Sequence, residues 1–195
     1  HAYAIGASAW RIGCDFFAEP IDEAHWRWRE VGHAHELPMP ALAAPVQLRN
    51  AACALAALQA LDMGIGDEAL ARGVAQARIG GRLQRIDCDG VEVVVDVGHN
   101  PQAARALAAW LDSKPRRRTL AVYAALADKD VAGVVATLAS QVDAWHVAGL
   151  ADAGPRGEAV EMFARRLQGT AAATAMQHAD VQVALDAALR QARPG

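Results

Sequence analysis

Six consecutive residues, Asp96-Val97-Gly98-His99-Asn100-Pro101, combine an acid, a tight-turn glycine, an imidazole and an amide ahead of a helix-starting proline. They follow a β-branched run and open an alanine-rich segment. The free N–H groups at such a helix start favour anions, phosphate above all. In this arrangement His99 can add a charge or a hydrogen bond, and Asp96 can hold a ribose hydroxyl. A purely structural reading also stands: Asp96 and Asn100 cap the turn and His99 is solvated. A second group, Asp128-Lys129-Asp130, offers opposite charges suited to an amino acid's ammonium and carboxylate. Here too Asp130 can simply be a helix N-cap beside a solvated pair. Gly80-Gly81-Arg82 reads as a hinge followed by a cation within reach of phosphate, and Pro155-Arg156-Gly157 carries a similar cation. Each arginine is equally a surface residue.

Other chemistries are missing. The chain has no G-x-x-x-x-G-K-[ST] phosphate loop, no H-E-x-x-H among its seven histidines and no G-x-S-x-G elbow. Gly64-Ile65-Gly66 lacks the third glycine of a dinucleotide fingerprint. His33-Ala34-His35 reads as an exposed pair. The three cysteines, Cys14, Cys53 and Cys88, form no C-x-x-C, so neither a zinc site nor a disulfide framework is indicated. Cys53 reads as a small core residue, and no metal ligands are assigned. Cysteine usage fits a reducing cytoplasm.

The elements that must position these residues follow from composition and periodicity. With 195 residues, 53% hydrophobic and 21% charged, the chain can build one ordinary domain or one and part of another. A net charge of −3, with Arg116-Arg117-Arg118 as its only basic run, argues against a nucleic-acid partner. No segment reaches the ~18 unbroken apolar residues of a membrane span. Residues 3–36 alternate apolar and polar types around Trp10, Phe16, Trp26 and Trp28, which predicts half-buried antiparallel strands with turns at Glu19-Pro20 and Gly32. Prolines 38, 40 and 45 make 37–45 a linker. Helices are expected from Asn50 to Leu61 and, capped by Asp67, to about Ala77.

Gly80-Gly81 marks the expected domain boundary, giving domains 1–80 and 81–195. Beyond it, Val91–Val97 predicts a buried parallel strand, Pro101–Leu111 a helix, Thr119–Ala125 a strand and Val131–Val142 a helix. A strand over Ala144–Ala148, a helix over 158–167, a weak strand near 171–175 and a helix over 180–192 complete the series. This alternation predicts an α/β domain with a mostly parallel sheet. Ligands in such sheets gather at the carboxyl ends of the strands, here the loops after Val97, Ala125 and Ala148.

The order of motifs is itself informative. Gln47-Leu48-Arg49-Asn50-Ala51-Ala52, Gly80-Gly81-Arg82-Leu83-Gln84, Asp96 to Ala104, Asp128-Lys129-Asp130-Val131-Ala132-Gly133, Trp145 and Pro155-Arg156-Gly157 closely resemble the bacterial dihydrofolate synthase/folylpolyglutamate synthases of the Mur ligase superfamily. The resemblance implies the β-strand and helical end of a central ATPase domain over 1–80, then a Rossmann-like C-terminal domain over 81–195 without its final strand. It implies that the chain is a fragment, inactive alone, because the phosphate loop and the magnesium ligands lie outside it. The implied reaction uses ATP and Mg2+ to join L-glutamate to dihydropteroate or to the γ-carboxylate of a folate through an acyl phosphate, in a cytoplasmic monomer.

Carried over position by position, Asn50 resembles the adenine-contacting asparagine, Arg82 the arginine near the ATP phosphates, Asp96 the residue at the ribose and His99 one beside the phosphates. Asp128 and Lys129 resemble the loop at the incoming glutamate. His99 and Lys129 are the expected catalytic groups. The peptidoglycan-precursor ligases of the same superfamily, and a non-catalytic nucleotide-binding module, are the alternatives. Gly80-Gly81 is then expected to be the hinge by which the C-terminal domain closes on bound ATP, with replacement of both glycines by proline lowering turnover and leaving folding almost unaffected.

Overall fold

In the computed structural model, residues 2–42 and 46–194 are described, and the chain divides into two compact units, His1–Gly80 and Gly81–Gly195.

The first unit is built on an antiparallel meander, β1 (Phe16–Pro20), β2 (His25–Glu30) and β3 (His33–Pro38). Period-2 alternation decides its faces. Trp26 and Trp28 are completely buried, while the intervening Arg27 points to solvent. Two helices, α1 (Val46–Ala60) and α2 (Asp67–Gln76), supply the partner face. Ala52, Leu55 and Ala56, at helical spacing, meet Phe16, both tryptophans and Leu37 in one core. Each indole removes about 150–250 Å² from water, about 4–6 kcal/mol at ~25 cal/mol per Å². Neither leaves its N–H unpaired: Trp26 Nε1 donates to Pro38 O at 3.0 Å and Trp28 Nε1 to Ala52 O at 3.1 Å.

Several expectations for this unit change. Glu19 and Pro20 belong to β1, paired with Arg27 and Trp26. The turn comes later, where Asp22 Oδ1 accepts from the N–H of Ala24 and His25. The expected linker begins inside β3, whose end tolerates Pro38, and its last residues, 43–45, lie outside the described ones. α1 starts at Val46, four residues before Asn50. Asp67 does not cap α2. Gly66 holds the cap position without a side-chain bond, and Asp67 accepts from His35 Nδ1 at 2.8 Å. His35 is therefore no exposed histidine: Gln59 donates to its other ring nitrogen, and the ring lies against Trp28. Cys53 is exposed, because the core side of α1 falls on Ala52, Leu55 and Ala56.

The second unit opens with a hairpin, β4 (Gln84–Cys88) and β5 (Val91–Val95), in antiparallel register from Gln84↔Val95 to Cys88↔Val91. This corrects the buried parallel strand expected at Val91–Val97. Asp89 and Gly90 both take positive φ, 53° and 82°, the two-residue turn that folds a strand straight back. The run is also less buried than its composition suggests, with Val95 and Val97 38% and 51% exposed. An apolar run was a correct sign of β-structure and a poor guide to its direction.

A three-stranded parallel sheet follows, in the order β6 (Leu120–Tyr123), β7 (Ala144–Ala148), β8 (Met176–His178). Trp145 and Val147 of β7 face α4 (Val131–Leu138) and α5 (Val160–Arg166), and with Val134, Val135, Phe163 and Leu167 they form the core. His146, one residue out of phase, faces α6 (Val181–Gln191), whose buried Ala184 and Ala188 permit a close approach. β8 lies beyond the strand expected at 171–175, where alanines form hydrogen-bonded turns and Ala172 fills the core instead. The remaining helix, α3 (Pro101–Asp112), packs against α4.

Candidate active site

Three loops of the second unit carry the residues singled out by type and spacing, and the first of them is Asp96–Pro101. Its geometry is set by short-range hydrogen bonds. Asp96 Oδ1 accepts from Gly98 N at 2.7 Å and Oδ2 from Leu83 N at 2.9 Å. The second bond holds Leu83, which is buried, at a φ of +46° that a leucine rarely adopts. Gly98 is required by space, since a Cβ there would lie 2.8 Å from Ala103 Cβ and from Asp96 Oδ1. Asn100 caps α3 by accepting from Ala103 N at 2.9 Å.

His99 and Arg82 are different. His99 is exposed, with Nδ1 3.1 Å from Val97 O, so that Nδ1–H donates to the carbonyl and Nε2 stays available. Arg82, just before the residue tied to Asp96, is exposed and has no hydrogen-bond or ion-pair partner among the described residues. The structural reading of this segment thus holds for Asp96 and Asn100. Those two shape the turn, whereas His99 Nε2 and the Arg82 guanidinium make no hydrogen bond among the described residues.

The second loop runs from β6 to α4. Asp130 Oδ1 accepts from Gly133 N at 2.9 Å and caps α4. Asp128 pairs with Lys129 Nζ at 3.1 Å and with Arg156 Nη1 at 3.4 Å. Its carboxyl is held below the usual aspartate range, chiefly by the Lys129 hydrogen bond and further by the Arg156 charge. Ala127 N donates to Arg156 O at 2.9 Å, which joins this loop to the third, between β7 and α5. The first two loops also meet: a Cβ at Gly133 would lie 2.7 Å from Pro101 Cγ, so glycine lets the starts of α3 and α4 touch.

Two residues absent from the sequence reading shape this corner. Arg166 on α5 donates to Leu126 O and Lys129 O and pairs with Glu158. Nothing in local spacing signals a contact between residues 37 positions apart.

Asn50 belongs to the first unit. It is exposed, and its Nδ2 donates to Oε1 of the buried Gln47 at 3.0 Å. The expected hinge also needs correction. Gly81 is buried and built into the second unit: its N–H donates to Gln84 Oε1 at 3.0 Å, and its carbonyl accepts from Val97 N at 2.8 Å. At φ +70°, with a Cβ placed 2.6 Å from Val97 Cγ1, it accepts no side chain. Proline there would remove a donor and clash, so its effect on folding is large. Among the described residues no three His, Cys, Asp or Glu side chains converge as a metal site requires, and no helix is long and apolar enough to cross a membrane.

The Asp96 turn thus follows the antiparallel β4–β5 hairpin, while the charged Asp128–Lys129 loop lies at the carboxyl end of β6 in the parallel sheet, the side on which α/β domains commonly take ligands. Residues 81–195 match the Mur ligase, glutamate ligase domain family, and the chain belongs to it. Dihydrofolate synthase/folylpolyglutamate synthase of Escherichia coli (strain K12) is 38% identical over 149 residues, which cover 75% of this chain and 34% of that protein. Among solved structures, E. coli FolC in complex with DHPP and ADP superimposes with a TM-score of 0.79 at 35% identity, over 99% of this chain and 44% of that one. A bifunctional folylpolyglutamate synthase/dihydrofolate synthase with Mn, AMPPNP and L-glutamate bound gives 0.80 at 32%, with the same coverage. The chain thus spans about a third of its curated relative's length. The folate branch read from the motif order is the one these relatives name.

Proposed function

We propose that this chain is the glutamate-adding part of an ATP-dependent ligase that joins L-glutamate to dihydropteroate and to folate γ-carboxylates. The observation that carries the reading is the pair Arg82 and His99. Both are exposed cation-capable groups without side-chain partners, flanking the Asp96 turn at the start of α3. In this reading residues 1–80 end the central ATP-binding domain, and 81–195 form the C-terminal domain of a cytoplasmic monomer.

A carboxylate is a poor electrophile, so ATP first phosphorylates it. The glutamate amine then attacks the acyl carbon, and phosphate leaves from the tetrahedral intermediate. Negative charge grows on phosphoryl oxygens throughout, which is where fixed cations lower the barrier most. Arg82 offers a planar fork to those oxygens, and His99 offers Nε2, as a donor when protonated. Asp96 accepts a ribose hydroxyl through lone pairs that its backbone bonds leave free, and Asn50 contacts adenine. Lys129, beside Asp128, receives a carboxylate of the incoming glutamate, and Asp128 its ammonium. None of these groups forms a covalent bond; the site works by placing reactants. Mg2+ would neutralise phosphoryl charge in the complete enzyme, and among the described residues no three His, Cys, Asp or Glu side chains converge to hold it.

The test uses the complete gene product with labelled glutamate, ATP and magnesium, and offers dihydropteroate, tetrahydrofolate and a UDP-muramoyl peptide in parallel. Incorporation into a pterin substrate, lost in His99→Ala, supports the proposal. Incorporation into the muramoyl peptide alone moves the chain to the cell-wall branch. No incorporation into any of the three leaves a nucleotide-binding module.

A further inference from the structure

The loop Leu126-Ala127-Asp128-Lys129-Asp130 contains neither glycine nor proline, so its own composition does little to restrict its shape. Its backbone is held from outside. Arg166 reaches from the last turn of α5 and donates Nη2 to Lys129 O and Nη1 to Leu126 O, gripping both ends of one turn. That turn is closed internally by Lys129 N donating to Leu126 O at 3.1 Å. The guanidinium is in turn fixed by Glu158, whose side chain is only 10% exposed, and it lies over the buried Phe163 ring. The Tyr123 hydroxyl, whose charged neighbours are Arg166 and Asp130, is buried without a partner, and burial pushes its pKa up to about 12. Each carbonyl also has a backbone donor, Lys129 N for Leu126 O and Val131 N at 3.0 Å for Lys129 O, so Arg166 adds a second, charged donor to both and ties the turn to α5.

We propose that Arg166, fixed by Glu158, is a positioning residue that holds the 126–129 turn so that Lys129 is presented to the carboxylate of the incoming amino acid. This rests on the reading of Asp128-Lys129 as the amino-acid loop, and it adds a specificity determinant that touches no substrate itself. Arg156 does not duplicate the role. It meets Asp128 by its side chain and Ala127 by its backbone, and leaves the carbonyls of the turn untouched.

Steady-state kinetics on the complete enzyme separate this from a merely structural role. Arg166→Met keeps the packing on Phe163 and deletes the donors. It is expected to raise the KM for glutamate about tenfold while the KM for ATP stays within about twofold. Arg166→Lys, a milder change that keeps the charge and cannot span both carbonyls, should fall between, and it replaces the Met variant if that one does not fold. The decisive comparison is with Lys129→Ala. If Arg166 acts through Lys129, the double variant binds glutamate no more weakly than Lys129→Ala alone. Multiplying effects, or equal rises in both KM values, overturn the positioning role while leaving the amino-acid loop intact. A Lys129→Ala enzyme with unchanged glutamate KM overturns the reading of the loop and this inference with it.

Discussion

Asp96 and His99 stand three residues apart in one turn, and their surroundings give them opposite experimental signatures. Asp96 is half-buried and accepts two backbone N–H groups, one of which holds a left-handed leucine. Asp96→Ala should cost about 1.5–3 kcal/mol, the scale of hydrogen bonds to a charged group, visible as a lower urea midpoint. Among the described residues His99 hydrogen-bonds only Val97 O, and it is exposed. His99→Ala should leave that midpoint within about 0.5 kcal/mol and lower kcat/KM on the order of 10²-fold, the scale for removing one group that stabilises developing charge. A His99→Ala protein that loses stability and keeps its rate would reverse the two roles.

At the scale of elements, the site depends on how closely α3 and α4 begin. Gly133 sits where Pro101 of one helix meets the capping aspartate of the other. Gly133→Ala is expected to cost about 1–3 kcal/mol by overpacking despite alanine's better helix propensity, and to slow turnover by spreading the two loops. Asp130→Ala, which removes only the cap, should cost about 0.5–2 kcal/mol. Thermal melts of the two variants, compared with their rates, separate spacing from capping: the glycine variant should lose more activity per degree of melting temperature. The basic run 116–118 belongs to this scale too. Arg116 pairs with Asp143, Arg117 with Glu92, and Arg118 donates to Gln191 O, so all three cations tie elements of the second unit together.

For the whole molecule, the face of the sheet turned away from that core carries a pH dependence. His146 on β7 is 1% exposed, bonded to Gln191 Oε1 by one ring nitrogen and to His178 Nε2 on β8 by the other, with the two rings stacked. Burial, then the neighbouring His146 and Arg190, lowers the pKa of His178 below its ordinary 6.5. The unfolded chain therefore takes up a proton that the folded one refuses, and stability rises with pH across that interval. It is complete above about pH 6.5 and lost progressively as pH falls from there toward the lowered folded pKa. Denaturation midpoints at pH 7.5 and 5.5 should differ in the native protein, and His178→Gln should reduce the difference. An unchanged difference would assign the acid sensitivity to other groups.

What the sequence determined unaided are the features whose causes lie within a turn or a strand. These are the Trp26/Trp28 alternation, the proline-started helix at 101, and the candidate residues Arg82, Asp96, His99, Asp128 and Lys129, together with the motif order that placed the chain in its family. Even the hairpin was written locally, as Asp89-Gly90, though the apolar run beside it suggested a parallel strand. Tertiary structure decided what each of those residues is free to do. It gave both oxygens of Asp96 to backbone amides, left His99 and Arg82 without side-chain partners, built Gly81 into one unit, and sent Arg166 back to the carbonyl of Lys129. The reason is distance along the chain. Capping and periodicity are settled among neighbours, whereas a half-buried arginine's acceptors and a glycine's missing Cβ depend on which distant elements pack together, and residue spacing does not encode that.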